Sequence, residues 1–135
     1  MLQSMREFIR TLMNSKKILI IEDDDFLRQL ISQKMSSEGF AVSLAVDGSD
    51  GIKKTKEIMP DLILLDLLLP VVDGFEVLSK IKSDPATNSI PVVILSNLGQ
   101  QDEINKGLKA GAKDYLVKAQ LTPEEIVEKV KNLLK

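Results

Sequence analysis

Four short apolar runs, rich in Ile, Leu and Val, constrain the fold of this 135-residue chain more than any other feature. They span residues 18–21, 62–65, 92–95 and 116–117. Polar and apolar residues do not alternate within them, which is typical of strands covered on both faces, as in a parallel sheet. A fifth, weaker strand is predicted over residues 41–46.

Helical patterns separate these runs. Apolar residues at 3.6-residue spacing predict a first helix, namely Phe26, Leu27, Leu30, Ile31 and Met35. This helix ends at Gly39. Three more helices are predicted. The first spans residues 48–59, the second runs from Phe75 to near Pro85, and the third contains Ile104 and Leu108 and ends at Gly111. A last helix begins at Thr122, where Pro123 and Glu125 complete the pattern of a capping box.

The predicted order is thus five successive strand–helix units. Such alternation is typical of an α/β fold with a doubly wound parallel sheet and helices on both faces. In sheets of this kind, ligands bind beyond the carboxyl ends of the strands. The side chains that follow each strand are therefore the candidates for a functional site.

The composition excludes several kinds of site. The chain has no histidine and no cysteine, so a thiol nucleophile, a Ser-His-Asp triad and a typical zinc site are excluded. Its net charge of -2 argues against a dedicated nucleic-acid binder. No apolar run approaches the ~20 residues that span a bilayer, and residues 1–14 do not resemble a secretory signal. We expect a cytoplasmic protein that binds neither nucleic acid directly nor a membrane.

Acidic side chains gather where the predicted strands end. Glu22, Asp23, Asp24 and Asp25 follow the first strand, Asp66 the third, Ser96 the fourth and Lys118 the fifth. Carboxylates in one crevice repel each other, and a divalent cation relieves that repulsion. A set of oxygen ligands without nitrogen or sulfur favours Mg²⁺.

Each of these residues also has a simpler explanation. Asp24 and Asp25 open a helix, where Asp is favoured by capping and by the helix dipole, and for Asp25 this position at the helix start is the better explanation. Ser96 alone suits a turn, and Lys118 alone suits a solvated surface. Asp66 is harder to explain in this way, because it ends the most hydrophobic strand, where an unpaired charge is costly.

Taken together, residues 17–135 resemble the receiver domain of two-component response regulators, of the single-domain chemotaxis type. The matching segments are Ile18–Asp24, Leu65–Pro70, Asp73–Glu76, Pro91–Ser96 and Gly111–Lys118. The resemblance implies a flavodoxin-like (βα)5 fold with strand order 2-1-3-4-5. It also implies a signalling module that catalyses only its own phosphorylation and dephosphorylation.

The resemblance implies a role for each matching residue. Asp66 would be the phosphoacceptor, with Lys118 and Ser96 at the phosphoryl oxygens. Mg²⁺ would be bound by Asp23, Asp66 and the backbone carbonyl of Leu68, and through water by Glu22; Asp24 is a substitute ligand if the alignment is one residue out. Ser96 and Tyr115 would form the switch, in which Tyr115 rotates into space that Ser96 vacates. Tyr115 also has a simpler explanation, as a half-buried aromatic of a strand.

The implied partners are a histidine kinase or phosphotransfer protein and a downstream protein target. The target would meet the face formed by the fourth helix, fifth strand and fifth helix of the domain, and a homodimer is left open. Because the chain lacks histidine, the donor histidine must lie on another protein or on another part of a larger one.

The chain departs from the family pattern near Lys118, which Ala119 follows instead of the usual proline. Without proline a cis peptide costs roughly 2.5–4 kcal/mol, so both cis and trans remain open at this bond. Asn97 is bulkier than the usual residue there and could narrow access to Asp66. Leu68 and Leu98 offer no polar group to orient a hydrolytic water, which predicts a long-lived phosphorylated state.

Residues 1–16 lie outside the family pattern and form an N-terminal extension. Their apolar residues follow helical spacing, at Leu2, Met5, Phe8, Ile9, Leu12 and Met13. A short helix, a fraying tail and a translation start at Met13 are all open.

Other functions are less well supported. An aspartyl-phosphate phosphatase would need a second acid two residues after the nucleophile, where this chain has Leu68. A nucleotide or flavin carrier would need a phosphate-binding loop after the first strand, where four consecutive acids would repel phosphate. A phosphate-independent pseudo-receiver is disfavoured by the complete set of site residues. The stronger alternative is a receiver that is part of a larger hybrid kinase or multidomain regulator.

Overall fold

The computed structural model describes residues 2–13 and 15–135, with side chains described for residues 3–8 of the first range. The strands are β1 (Lys17–Ile21), β2 (Ala41–Ala45), β3 (Leu62–Leu65), β4 (Val92–Ser96) and β5 (Asp114–Val117). They form one parallel sheet in the order β2-β1-β3-β4-β5. The α/β fold and the strand order implied by the resemblance are thus confirmed, and every apolar run forms its predicted strand.

Helices cover both faces of the sheet. They are α1 (Leu2–Met13), α2 (Asp25–Ser37), α3 (Gly48–Ile58), α4 (Gly74–Ser83), α5 (Gln101–Lys109) and α6 (Pro123–Leu133), with a short 3-10 helix over Lys118–Gln120. Ile18 and Ile20 of β1 share a core with α2 and α6, whereas Leu19 and Ile21 share a core with α3, α4 and α5. Because both faces are buried, the central strands need apolar side chains on both sides, which explains the unbroken runs at residues 18–21, 62–65 and 92–95.

Side chains at the helix starts fix where the helices begin. The Asp24 side chain accepts a hydrogen bond from Leu27 N at 3.0 Å and caps α2, and Thr122 and Glu125 form the predicted capping box of α6. The cap of α2 is therefore Asp24. Asp25 is the first helical residue, where the helix dipole favours an acid, as expected, and it pairs with Arg28.

Within residues 17–135, two residues of the predicted apolar stripes face solvent. Phe26 is 77% exposed, because the first turn of α2 begins beyond the end of β1. Leu108 is 44% exposed, because α5 turns Gly107 toward Ile94 and Tyr115 and so carries its neighbour outward. The helical spacing of apolar residues predicts that a helix forms, but it does not predict which of these residues extend beyond the sheet and stay exposed.

Residues 2–13 adopt the helical alternative for the N-terminal extension. Met5 and Phe8 of the predicted stripe are exposed. The stripe side chains of Leu2, Ile9, Leu12 and Met13 lie outside the described residues. Across the part of the chain that the structure describes, no helix has both the length and the apolarity to cross a membrane.

Candidate functional site

The carboxyl edge of the sheet brings the predicted site residues together. Parallel pairing aligns Ile21 with Leu65 and Leu65 with Ile94, so the residues that follow these strand positions emerge at one edge. Ser96 pairs with Val117, which places Lys118 at the same edge. Side chains up to 96 positions apart along the sequence, from Glu22 to Lys118, therefore meet in one crevice.

Three carboxylates in this crevice form a cluster. Glu22, Asp23 and Asp66 each offer an oxygen within 4.8 Å of the others. Glu22 and Asp66 are buried and Asp23 is exposed, so the cluster is open to solvent on one side. Asp24, the substitute ligand, is not part of this cluster, because its side chain caps α2.

Lys118 lies between the two buried carboxylates. Its Nζ is 2.7 Å from Glu22 Oε1 and 3.1 Å from Asp66 Oδ2. Burial alone would lower the pKa of Lys118, but its bond to Glu22 and the charges of Asp66 and Glu22 outweigh burial and raise that pKa. The peptide after Lys118 is trans, since the described residues contain no cis bond. Lys118 thus reaches Asp66 without a cis peptide.

Glu22 is the least well compensated group in the site. Its pKa is raised to about 7, mainly by burial and also by the nearby Asp66, while the contact with Lys118 acts in the opposite direction. Its Oε2 accepts a hydrogen bond from Asp24 N at 3.2 Å, whereas the buried Oε1 has the ion-pair contact with Lys118 Nζ but accepts no hydrogen bond of good geometry. An all-oxygen donor set with one such buried oxygen fits a hard divalent cation such as Mg²⁺.

The Asp66 carboxylate is held at both oxygens. Oδ1 accepts a hydrogen bond from Leu68 N at 3.2 Å, and Oδ2 accepts one from Lys118 Nζ at 3.1 Å. The backbone around it is fixed by Gly74, where an added Cβ would lie 2.3 Å from Asp66 O. α4 can therefore begin directly against the Asp66 peptide only because residue 74 has no side chain.

Ser96 and Tyr115 are connected through Leu98. Ser96 is fully buried, and its Oγ accepts a hydrogen bond from Leu98 N at 3.2 Å. The Tyr115 hydroxyl donates to Leu98 O, and burial of the ring raises the pKa of Tyr115. Tyr115 is 8% exposed, so its ring already occupies the interior in this structure. Asn97, which was expected to narrow access to Asp66, is exposed.

Arg28 is a neighbour of the site that sequence reasoning missed. It is 6% exposed, and its Nη1 donates to Glu22 O at 2.7 Å while its Nη2 donates to Asp25 Oδ1. Its position in the sequence could have indicated this contact. Arg28 follows Asp25 by three residues and the cap Asp24 by four, a spacing at which a basic side chain reaches the first turn of its own helix.

The comparisons with known proteins agree with this geometry. A family model described as the response regulator receiver domain matches residues 18–131. This chain belongs to that family. Receiver domains are signalling modules of two-component systems, in which histidine kinases are the partners.

Individual relatives of this receiver domain support the assignment. The DNA-binding dual master transcriptional regulator RpaA of Synechocystis is 42% identical over 119 residues, which are 88% of this chain and 49% of that protein. The chain spans about half the length of the curated relatives it matches. Among solved structures, chemotaxis response regulator CheY4 of Vibrio cholerae is 26% identical with a TM-score of 0.82, covering 88% of this chain and 98% of that one. The Mn²⁺-bound form of response regulator Rcp1 is 28% identical with a TM-score of 0.75, covering 87% and 91%.

Proposed function

We propose that this receiver domain accepts a phosphoryl group on Asp66 from the phosphohistidine of a histidine kinase or a phosphotransfer protein. The observation that carries the proposal is the buried Asp66 carboxylate, which contacts Lys118 and lies close to two further acids at the open edge of the sheet. In the transfer, an Asp66 oxygen bonds to phosphorus while the phosphorus–nitrogen bond of the donor breaks, and the electron pair returns to the donor imidazole.

The acidic cluster would hold Mg²⁺ through Asp23, Asp66 and the Leu68 carbonyl, with Glu22 acting through water. When bound, the ion neutralises carboxylate and phosphoryl charge. Response regulator Rcp1, which has the same fold, has been solved in a form that binds the divalent ion Mn²⁺, and this supports a cation here.

Lys118 and Ser96 would stabilise the transferred group. Phosphoryl transfer depends mainly on positioning and on charge stabilisation at the phosphoryl oxygens. Lys118 already lies 3.1 Å from Asp66 Oδ2 and carries a positive charge. Ser96 accepts from Leu98 N and keeps its own hydroxyl proton, which it can donate to a phosphoryl oxygen.

The signal would leave the site through Leu98. When Ser96 turns toward the phosphoryl group, its bond to Leu98 N breaks, and Leu98 O is the acceptor that holds the Tyr115 hydroxyl. Phosphorylation would then rearrange a Tyr115 that is already buried, rather than draw it inward from solvent. The face formed by α5, β5 and α6 would carry this change to a downstream protein or to a second copy of the domain.

Residues 17–135 would form the receiver domain and residues 1–16 an extension to it. The alternative is that the domain is one module of a larger hybrid kinase or regulator, an arrangement that RpaA and PhoB favour, since the match covers 49% and 52% of their lengths. The intact mass of the native protein distinguishes these two arrangements.

Mass spectrometry after incubation with acetyl phosphate and Mg²⁺ tests the proposal. We expect the wild type to gain the mass of one phosphoryl group, and Asp66→Asn, which keeps the size of the side chain, to gain none. Chelation of Mg²⁺ should abolish the gain in the wild type. A wild type without added mass, or an Asp66→Asn protein that is still modified, would overturn the assignment of Asp66.

The lifetime of the phosphorylated form gives a second measurement. Leu68 is 58% exposed and Leu98 is partly buried, and neither side chain carries a polar group that could orient an attacking water. We expect slow loss of the phosphoryl group after acetyl phosphate is removed, and faster loss in Leu68→Gln. Decay of the wild type within a few seconds would contradict this expectation.

A further inference from the structure

Arg28 connects the two ends of the acidic loop between β1 and α2. One nitrogen of its guanidinium donates to the backbone oxygen of Glu22, and the other donates to the side chain of Asp25. Asp23 and Asp24 lie between these two anchors. The guanidinium is almost completely buried, so it touches the loop from the interior of the domain and leaves the solvent side open.

We propose that Arg28 is a positioning residue that holds Glu22 and Asp23 ready for the divalent cation. The inference rests on the proposed metal site at Glu22, Asp23 and Asp66. The carbonyl that Arg28 binds belongs to the peptide that joins Glu22 to Asp23, so this hydrogen bond fixes the direction in which Asp23 leaves the strand. Asp23 is exposed, and without this anchor its orientation would have to be fixed when the ion binds.

The four consecutive acids of this loop explain why such an anchor would be needed. The carboxylates from Glu22 to Asp25 repel one another, and that repulsion favours an open loop until a cation arrives. Arg28 places a positive charge beneath the loop and makes hydrogen bonds to two of its residues. Groups that orient metal ligands in this way typically account for 10–100-fold in metal affinity.

The charge of Arg28 could act in the opposite direction, because a cation near a metal site repels the metal. The contact with the Asp25 carboxylate largely cancels this effect, since the guanidinium and the carboxylate form a neutral pair. Positioning therefore outweighs repulsion, and the sign of the change in affinity distinguishes the two effects.

Mg²⁺ affinity, measured by isothermal titration calorimetry, is the decisive experiment. We expect Arg28→Met to weaken Mg²⁺ binding by about tenfold. Arg28→Lys keeps the charge but has a single nitrogen to serve two anchors, so we expect a smaller loss. If repulsion were dominant, Arg28→Met would bind Mg²⁺ more tightly and Arg28→Lys would match the wild type.

Lys82→Met is the matched control. Lys82 also binds backbone carbonyls, those of Asn88 and Ile90, but at the opposite edge of the sheet. This variant should lose thermal stability and keep wild-type Mg²⁺ affinity, which separates a loss of positioning from a general loss of stability.

The outcomes separate this inference from the proposed function. Wild-type affinity in folded Arg28→Met and Arg28→Lys would overturn the inference, and if Arg28→Met does not fold, Arg28→Lys alone decides. A wild type that binds no Mg²⁺ would overturn both the metal site and the inference. A wild type that binds Mg²⁺ but gains no phosphoryl group would overturn the proposed function and leave the role of Arg28 intact.

Discussion

At both edges of the sheet, lysine side chains contact oxygen atoms, but the chemical nature of these oxygens differs between the two edges. At the amino edge, Lys82 Nζ lies 2.7 Å from Ile90 O and 3.1 Å from Asn88 O, and Lys17 Nζ lies 2.9 Å from Ile58 O. These acceptors are neutral carbonyls. At the carboxyl edge, Lys118 instead faces two buried carboxylates, Glu22 and Asp66.

The difference distinguishes contacts with neutral acceptors from contacts with buried charges. A lysine that donates to backbone carbonyls satisfies these oxygens at the end of a helix or loop, and no additional ion is needed to balance charge there. A single lysine between two buried carboxylates leaves excess negative charge, and burial together with the nearby Asp66 raises the pKa of Glu22 to about 7. The carboxylates at the carboxyl edge thus favour a further cation, whereas the neutral acceptors of Lys82 and Lys17 at the amino edge do not.

Lys118→Met should cause the largest loss of stability, because it leaves Glu22 and Asp66 facing each other with no cation. Removing one partner of a buried ion pair costs about 3–5 kcal/mol, and we expect a loss near the lower end at pH 8. The loss should shrink below pH 7 as Glu22 takes up a proton. Urea unfolding at the two pH values measures both effects.

Lys34→Met is the control for this variant. Lys34 Nζ is also 2.7 Å from a glutamate oxygen, that of Glu124, but Glu124 is 68% exposed. Solvent screens exposed pairs, so this variant should change stability very little. Equal losses in both variants would show that burial does not distinguish the two pairs.

Lys82→Met should cause a smaller loss at the amino edge. It removes two hydrogen bonds to carbonyls, which we expect to cost about 1–2 kcal/mol. Because the acceptors do not titrate, the loss should be the same at pH 5.5 and pH 8. A loss that depends strongly on pH in this range would contradict the contrast between the edges. Thermal and urea unfolding of the variant provide the measurement.

The pH dependence of the wild type tests the carboxyl edge without a mutation. The pKa of Glu22 is about 7 in the folded protein and 4.5 as its ordinary value. Between these values the unfolded chain has released the proton and the folded protein still holds it, so the Glu22 contribution to stability falls as pH rises from about 4.5 to about 7. Above pH 7 the contribution is constant.

Mg²⁺ should oppose this fall, because it binds the ionised carboxylates. We expect the rise in melting temperature on adding Mg²⁺ to be larger at pH 8 than at pH 5.5. In Glu22→Gln the dependence on pH over this range should flatten. A rise that does not change with pH in the wild type would show that Glu22 does not titrate with the metal site.

Much of this molecule could be predicted from its sequence, because burial on both faces forces unbroken apolar strands. The residues at the strand ends, such as Asp66 and Lys118, could be located for the same reason. Arg28 could not, since an arginine in a polar helix start is normally solvated, and only the tertiary structure shows that it is buried. The trans peptide at Lys118–Ala119 depends on a local balance of backbone energies that composition does not reveal.

The smallest expected effect concerns Tyr115, whose ring packs against α5 and whose hydroxyl reaches Leu98 O beyond the end of β4. A Cβ at Gly107 would lie 2.9 Å from the Tyr115 ring and 2.7 Å from Ile94 Cδ1. In Gly107→Ala, overpacking costs about 1–3 kcal/mol, while alanine recovers about 1 kcal/mol of helix propensity, so the net loss should be about 1 kcal/mol. Both contacts are with side chains, and the ring can yield by turning outward.

An outward ring would lose the burial that raises the pKa of Tyr115, so this pKa should fall toward its ordinary value in Gly107→Ala. The chain has one tyrosine, so an ultraviolet absorbance titration reports on this residue alone. Leu108→Ala, at the exposed neighbouring position of α5, should leave the pKa unchanged. If Gly107→Ala also leaves it unchanged, the inward position of Tyr115 does not depend on the missing side chain of α5, and the bond to Leu98 O alone holds the ring in place.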